Sequence, residues 1–430
     1  MEGVLHYIWK NRLLPKKELQ TTDGENLRII SCGSESEKEN VFHNARIIIG
    51  DKEWCGDVIM HHKSSDWEKE LTAHIGASSN IILHVTLENN CERLRQHGET
   101  VSQLCINLPE GLEKEFATSI EHAQCLPCCS MLEKMKGIEI SSYLSRLLVE
   151  RIEEKANNIM QTFSECQGRW DETLFKTIVR SFGFGLQSDL FEKFAKILNM
   201  NALGKHSNNL LQIEAILFGQ AGLLEEESIP YYYRAEAQHS EYYRSICQEY
   251  KFLKNKFNLE SIDYRVWGNG SASPHVRIAR IAQLYFMKKI SISGILTCNT
   301  INEYRSMLEC YLEGYWQNHT CFGSTETIGN GCMRPQQTDV IIINAIIPIL
   351  YIYGKHRNDC NACSKAEDLL HNLKGEENSI IRKWRERGLA VNCAADSQAI
   401  IQLERKFCRM HNCARCRFAY HYIKERLAEC

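Results

Sequence analysis

Three cysteines carry the clearest metal-ligand spacing in this sequence. Phe407 to Ile423 reads FCRMHNCARCRFAYHYI, so Cys408-x4-Cys413-x2-Cys416 places three sulfurs within one turn and loop. Thiolates at that spacing suit tetrahedral zinc, which needs a fourth donor. His421, His411, Cys430 and the Cys360-x2-Cys363 pair are the candidates. His421 is placed first, because Cys416-x4-His421 can return a ring nitrogen to the sulfurs. Zinc is the expected metal, with an iron–sulfur cluster as the alternative, since three clustered cysteines and one distant one suit it equally. The competing reading is of reduced thiols packed as small apolar side chains. Cys125-x2-Cys128-Cys129 flanks Pro127, has no second pair nearby, and reads as a loop.

Basic residues form two groups. Arg277 and Arg280 stand three apart on a helix expected to open at Pro274, with Lys288 and Lys289 at its end. Arg405, Lys406, Arg409, Arg415 and Arg417 surround the cysteines, and Tyr420 and Tyr422 follow. Cations interleaved with aromatics suit backbone contact and base stacking on nucleic acid. Arg277, Arg280, Arg415 and Arg417 are therefore candidate nucleic-acid contacts. Solvated helix ends carry cations as well, because these favour the C-terminal dipole.

A chain of 430 residues is long enough for two or three domains with buried cores. Its 43% hydrophobic and 24% charged residues are those of a globular protein. A formal charge of −3 supplies no overall field for nucleic acid, so such binding needs a local patch. Met1 to Leu14 mixes Glu2, His6 and Lys10 into its apolar residues and does not read as a secretion signal. Val340 to Tyr353 (VIIINAIIPILYIY) is short for a bilayer and holds Asn344 and Pro348, which points to a buried helix or a strand and helix. The expectation is a cytoplasmic chain that does not span a membrane, its 20 cysteines mostly reduced.

The elements that must position these residues change character along the chain. Val4, Leu5, Ile8, Trp9 and Leu13 share a helical face near the start. Leu27–Ile30, Ala45–Ile49, Trp54–Met60, Ile81–Val85 and Val101–Ile106 are short, rich in β-branched residues, and separated by turn signals such as Gly50-Asp51. From about Pro109 the pattern turns helical, with stretches at Ser141–Gln167, Trp170–Phe182, Ser207–Leu224 and Tyr242–Phe257. Ser273-Pro274 reads as a cap and first-turn proline opening a further helix. The expected fold class is α+β: a small, mainly antiparallel sheet domain over 1–110, then a larger helical region over 111–430.

Several motifs are similar to a bacterial family, domain-of-unknown-function family 2851. They are Gly56-Asp57-Val58, His61, Lys63-Ser64-Ser65-Asp66-Trp67 and Ile82-Leu83-His84-Val85 at the front. Further on come Arg180 to Gly185, Gln212-Ile213-Glu214-Ala215 and Leu217 to Gly222. Last are Asn344, Pro348, Tyr353-Gly354, Ser397-Gln398-Ala399, Gln402-Leu403 and the three cysteines. The resemblance covers essentially the whole chain and brings no activity with it.

The family pattern at the front is Pro-Asp-Phe, a strand, then Val-Glu-Ile-His, similar to the PD-(D/E)xK nuclease core. Residues i and i+2 of a strand share a face, so two carboxylates and a basic group can hold a divalent ion and activate water against a phosphodiester. This sequence departs where it matters. Val41 stands in place of the Asp and Ile59 in place of the Glu, while His61, Lys63, Asp66 and Trp67 remain. His61, Lys63, Asp66 and Glu70 are the candidate remnant of a catalytic site. His61 and His84 alternate with apolar residues on strands, where a structural histidine is an equal reading. The resemblance implies a nuclease-derived, catalytically degenerate protein that interacts with nucleic acid. The alternatives are a metal-stabilised helical scaffold for protein partners and a hydrolase with a displaced site.

Overall fold

The structure, a computed structural model, describes residues 3–14, 19–35, 40–67, 80–91, 100–112, 128–183, 187–263, 265, 274–325, 333–410 and 412–428. The chain divides into two compact units. One comprises residues 1–144, 383–389 and 401–430, and the other residues 145–382 and 390–400. The position near 110 where the sequence turns helical falls inside the first unit.

The first unit is built on a sheet behind helix α1 (Gly3–Lys10). Its strands are β1 (Leu19–Gln20), β2 (Asn26–Ser31), β3 (Ser34–Glu35), β4 (Val41–Ile49), β5 (Lys52–Lys63), β6 (Ile81–Glu88) and β7 (Gln103–Cys105). The spatial order is β1-β2-β4-β5-β6-β7, with β3 also paired to β4. Pairs up to β4–β5 are antiparallel, whereas β5–β6 and β6–β7 are parallel. The predicted Gly50-Asp51 turn closes the β4–β5 hairpin, with Gly50 at φ 59° as a tight two-residue turn needs. A parallel pair needs a crossover, and between β5 and β6 residues 68–79 lie outside the described residues.

Alternation along β5 separates two faces. Val58 and Met60 join Phe42, Ile47, Leu83 and Val85 against Leu5 and Trp9 of α1. Ile59 turns the other way, into a cluster with Val41, Trp67, Ile81 and Val101. Gly56 has a steric reason to be glycine: a Cβ there would stand 2.4 Å from the Asn80 carbonyl oxygen.

The second unit is helical. Trp170–Ser181, Ser188–Ile197, Leu210–Gln220, Glu241–Phe257 and Pro274–Phe286 pack around Leu174, Ile178, Phe191, Ile213, Phe218, Ile246 and Ile278. The apolar run becomes a helix over Pro335–Arg357 whose middle, Ile342–Ile346, is a π turn just before Pro348. Pro348 lacks an N–H, and a widened turn beside it is one way a helix absorbs that loss. Among the described residues this helix alone is long and apolar enough to cross a membrane, and 67% of its apolar window is buried within the structure. That burial is what a core helix shows.

Candidate functional site

Val41, Ile59 and His61 occupy the middle of the sheet. Val41 and Ile59 are direct partners across β4 and β5, and His84 of β6 pairs with Ile59 on its other side. One face of the β5–β6 pair therefore runs Ile59–His84, His61–Thr86, Lys63–Glu88 from apolar to charged. His61 Nδ1 lies 2.9 Å from His84 Nε2, and both rings are almost wholly buried. Trp67 covers them, its ring 5.0 Å from His84 and 6.5 Å from His61. An N–H···N bond needs one neutral acceptor, so at least one of the two imidazoles is uncharged. Val41, Ile59 and His61 share a face and are all buried, Val41 and Ile59 in a cluster with Trp67 and Ile81, and His61 beside the Trp67 ring.

The remaining members of the expected remnant serve local structure. Lys63 Nζ pairs with Glu88 at 2.9 Å in solvent. Asp66 accepts the Lys63 backbone N–H at 3.3 Å, closing the short 3-10 turn Ser64–Asp66. Neither bond points to a substrate. Glu70 lies outside the described residues.

Cys408, Cys413 and Cys416 are buried, and their surroundings differ from those expected. Cys408 ends a π turn (Glu404–Cys408), while Cys413 opens a 3-10 turn (Cys413–Arg415) just before Cys416. The Tyr143 hydroxyl donates to Cys416 Sγ at 3.5 Å, and Tyr143 meets Phe418 and Phe407 edge-on. The turn Cys128–Met131 packs against the Arg417–Ala428 helix, and Lys134 pairs with Glu425 at 2.5 Å alongside. A hydrogen bond to Cys129, burial, and the nearness of Cys416 and Cys413 together push the Cys128 thiol far up. Burial and then Cys416, Tyr420 and Cys413 do the same to the Tyr7 hydroxyl. The segment read as a loop thus places Cys128 within electrostatic reach of Cys416 and Cys413.

His421 is differently placed. Burial holds its imidazole below the usual range, opposed by Glu139 and reinforced by Arg417 and Lys424, none of them a cysteine. Its Nε2 is buried without a hydrogen-bond partner among the described residues. His411, Cys430 and Cys125 lie outside those residues, and Cys360 and Cys363 belong to the helical unit. Among the described residues no three of His, Cys, Asp and Glu stand together at a separation that would hold a metal ion.

The basic groups part company. Arg280 is 8% exposed and faces the core. Arg277 donates to the carbonyls of Phe182 and Gly183 at 3.2 and 3.3 Å and to Gln187 at 2.9 Å, closing the end of the Trp170–Ser181 helix. Of the two expected basic residues on the Pro274–Phe286 helix, Arg280 is thus buried and Arg277 is held by carbonyls and the Gln187 amide. Arg405, Lys406, Arg409, Arg415, Arg417 and Lys424 are all exposed.

Two polar assemblies in the helical unit went unassigned in the sequence, although the quoted motifs contain their members. Lys155 Nζ donates to Asn344 at 2.8 Å and Gln398 at 2.6 Å, and both amides donate to Glu376. Asn344 sits in the π turn, so the network reads that irregular segment directly. Glu214 accepts from the Tyr242 hydroxyl at 2.9 Å, and Trp316 Nε1 donates to that same hydroxyl. Burial pushes the Glu214 carboxyl up to about 7, against the pull of those donors. His275 packs beside Phe322 and Trp316 and is held down to about 3 by burial. Gly219, in the same motif as Glu214, lies under Tyr250, whose ring would be 2.1 Å from an added Cβ. These spacings announce themselves only as motif, because their partners are distant in sequence.

No curated protein and no solved structure matches the chain. A family described as a protein of unknown function (DUF2851) matches residues 2–379, which takes in the strand frame, Glu214 and Asn344 but stops short of Cys408. With most of its length matched, the chain belongs to that family.

Proposed function

We propose that the protein is a nuclease-derived, catalytically silent protein that contacts nucleic acid through exposed cations of its late segment. The observation that carries this reading is the direct pairing of Val41 with Ile59. A hard divalent ion needs oxygen ligands, and these two positions offer only methyl groups in a dry cluster. The order of a helix, an antiparallel strand pair and then a parallel strand supports descent from a nuclease core. Arg405, Lys406, Arg409, Arg415 and Arg417, with Tyr420 following, supply charge and a stacking surface. The test is fluorescence anisotropy with single- and double-stranded oligonucleotides over a range of salt, together with cleavage in Mg²⁺ or Mn²⁺. Salt-dependent binding without cleavage is the expected result. Metal-dependent cleavage by the wild type favours the displaced-site hydrolase instead, and absence of binding at low salt removes the reading.

A second reading, a scaffold for a protein partner, has one observation in its favour. Tyr231 and Tyr232 are 84% and 74% exposed, side by side after Pro230. Adjacent exposed tyrosines are common at protein contacts. Retention of affinity for nucleic acid after Tyr231→Ser with Tyr232→Ser separates the two surfaces.

A further inference from the structure

We infer that Cys360 and Cys363 are a redox-active dithiol, which small-molecule disulfides such as oxidised glutathione convert to a disulfide within one helical turn. Both residues lie in the opening turn of the Cys360–Asn372 helix. Three residues along an α-helix the Cα atoms are about 5 Å apart, inside the roughly 4–7 Å that a disulfide spans. A helical side chain leans back over the turn before it, so the Cys363 side chain covers the turn that holds Cys360. That turn is fixed before any bond forms. Asp359 accepts the N–H groups of Asn361 and Ala362 at 3.0 and 3.2 Å, and its own N–H donates to the Gly354 carbonyl at 2.9 Å.

The two sulfurs differ as an exchanging pair requires. Cys360 is exposed, where a disulfide in solution reaches it, whereas Cys363 is half-buried. Cys363 Sγ lies 3.7 Å from the Tyr351 carbonyl and fills the space over Gly354, where an added Cβ would stand 2.5 Å from it. Burial and then Cys360 push the Cys363 thiol up, and Asp359 adds to this while Lys355 opposes it. The roles follow from that difference. The Cys360 thiolate attacks one sulfur of the small disulfide, whose S–S bond breaks, and one thiolate leaves and takes up a proton. Cys363, giving up its proton, then attacks Cys360 Sγ and expels the second thiol. Two protein thiols are oxidised to one disulfide while one small disulfide is reduced to two thiols. Lys355 and Arg357, just upstream, are exposed cations that draw in an anionic disulfide such as oxidised glutathione. An exposed disulfide is also the kind that thiols reduce readily, so the exchange runs both ways. Cys413 and Cys416 share the spacing but are both buried, out of reach.

The test is mass spectrometry of the full chain, reduced, incubated with oxidised glutathione, quenched in acid, then denatured, alkylated and digested with trypsin. Cleavage after Arg357 and Lys365 leaves both cysteines in one peptide, Asn358 to Lys365. The alkylated form of that peptide should fall to background, replaced by an unalkylated form lighter by two hydrogens. Excess reduced glutathione should return it to the dithiol. Cys363→Ser should instead retain one glutathione on Cys360, because the thiol that expels it is gone. Cys360→Ser should leave Cys363 alkylated. The wild-type result stands whether or not either variant folds. A wild-type peptide that stays dithiol, or carries glutathione on both cysteines, overturns the inference. So does oxidation of Cys413 and Cys416 at the same glutathione ratio, which would follow oxidant strength rather than this geometry. A glutathione adduct on Cys363 in Cys360→Ser overturns the assigned roles.

Discussion

His61 and His84 are joined nitrogen to nitrogen at 2.9 Å across the parallel strands β5 and β6, under the ring of Trp67. Removing one ring takes a partner from a buried polar group and leaves a void. His61→Ala should therefore destabilise the fold by about 2–4 kcal/mol. Urea denaturation followed by tryptophan fluorescence measures it, and an unchanged midpoint contradicts the account.

Introducing carboxylates tests the proposed nuclease descent. Ile59→Glu alone puts a charge into the Val41–Trp67–Ile81 cluster and should cost several kcal/mol, roughly 3–5. Val41→Asp with Ile59→Glu places two carboxylates opposite each other. That double variant should be weakened in metal-free buffer and raised in melting temperature by Mn²⁺, whereas the wild type shows no such response. Equal insensitivity of both proteins to Mn²⁺ counts against a nuclease-type frame.

Glu214 makes stability fall as pH rises. Its carboxyl is raised to about 7 in the fold, chiefly by burial, so the folded chain holds a proton that the unfolded chain has already released. The contribution is complete below about pH 4.5 and is lost through about pH 7, amounting to about 3 kcal/mol. Glu214→Gln keeps an acceptor for Tyr242 without the charge. Relative to wild type it should gain stability at pH 8.5 and gain nothing at pH 4. His275 is common to both proteins and cancels in the comparison. Parallel pH profiles would show that the carboxyl stays ionised.

The two arginine groups should separate in a salt titration. Arg415→Ala with Arg417→Ala is expected to lower the slope of log affinity against log salt by about 2, near one counterion per phosphate contact. Arg277→Ala should leave that slope unchanged and lower thermal stability, since it uncovers the Phe182 and Gly183 carbonyls. Equal slopes for wild type and the double variant place the contact elsewhere.

Local pattern carried the element types further than the positions of their partners. The five predicted strands all fall on strands or at their ends, because alternation and the Gly50-Asp51 turn are local signals. The helices at Trp170, Tyr242 and Pro274 were legible for the same reason. The partial burial of Arg277 and the burial of Arg280 were not legible, because helical spacing tells which residues share a face, not whether that face meets water. Cys128 was missed as a neighbour of Cys416 because no periodicity links residues so far apart. Glu214 and Asn344 were visible only as motif, and their chemistry waited on Tyr242 and Lys155.

The first unit takes in residues 1–144 together with 383–389 and 401–430, with the helical unit's residues between them. A ribosome delivers those parts in order, so the sheet emerges long before the helix that packs on the Cys128–Met131 turn. At roughly 5–20 residues per second, the interval between residue 144 and residue 401 is on the order of tens of seconds. During it, the surface meant for Phe407, Phe418 and Tyr422 is apolar and uncovered. The early end of the nascent chain thus waits with that surface uncovered, while its middle is free to finish folding first.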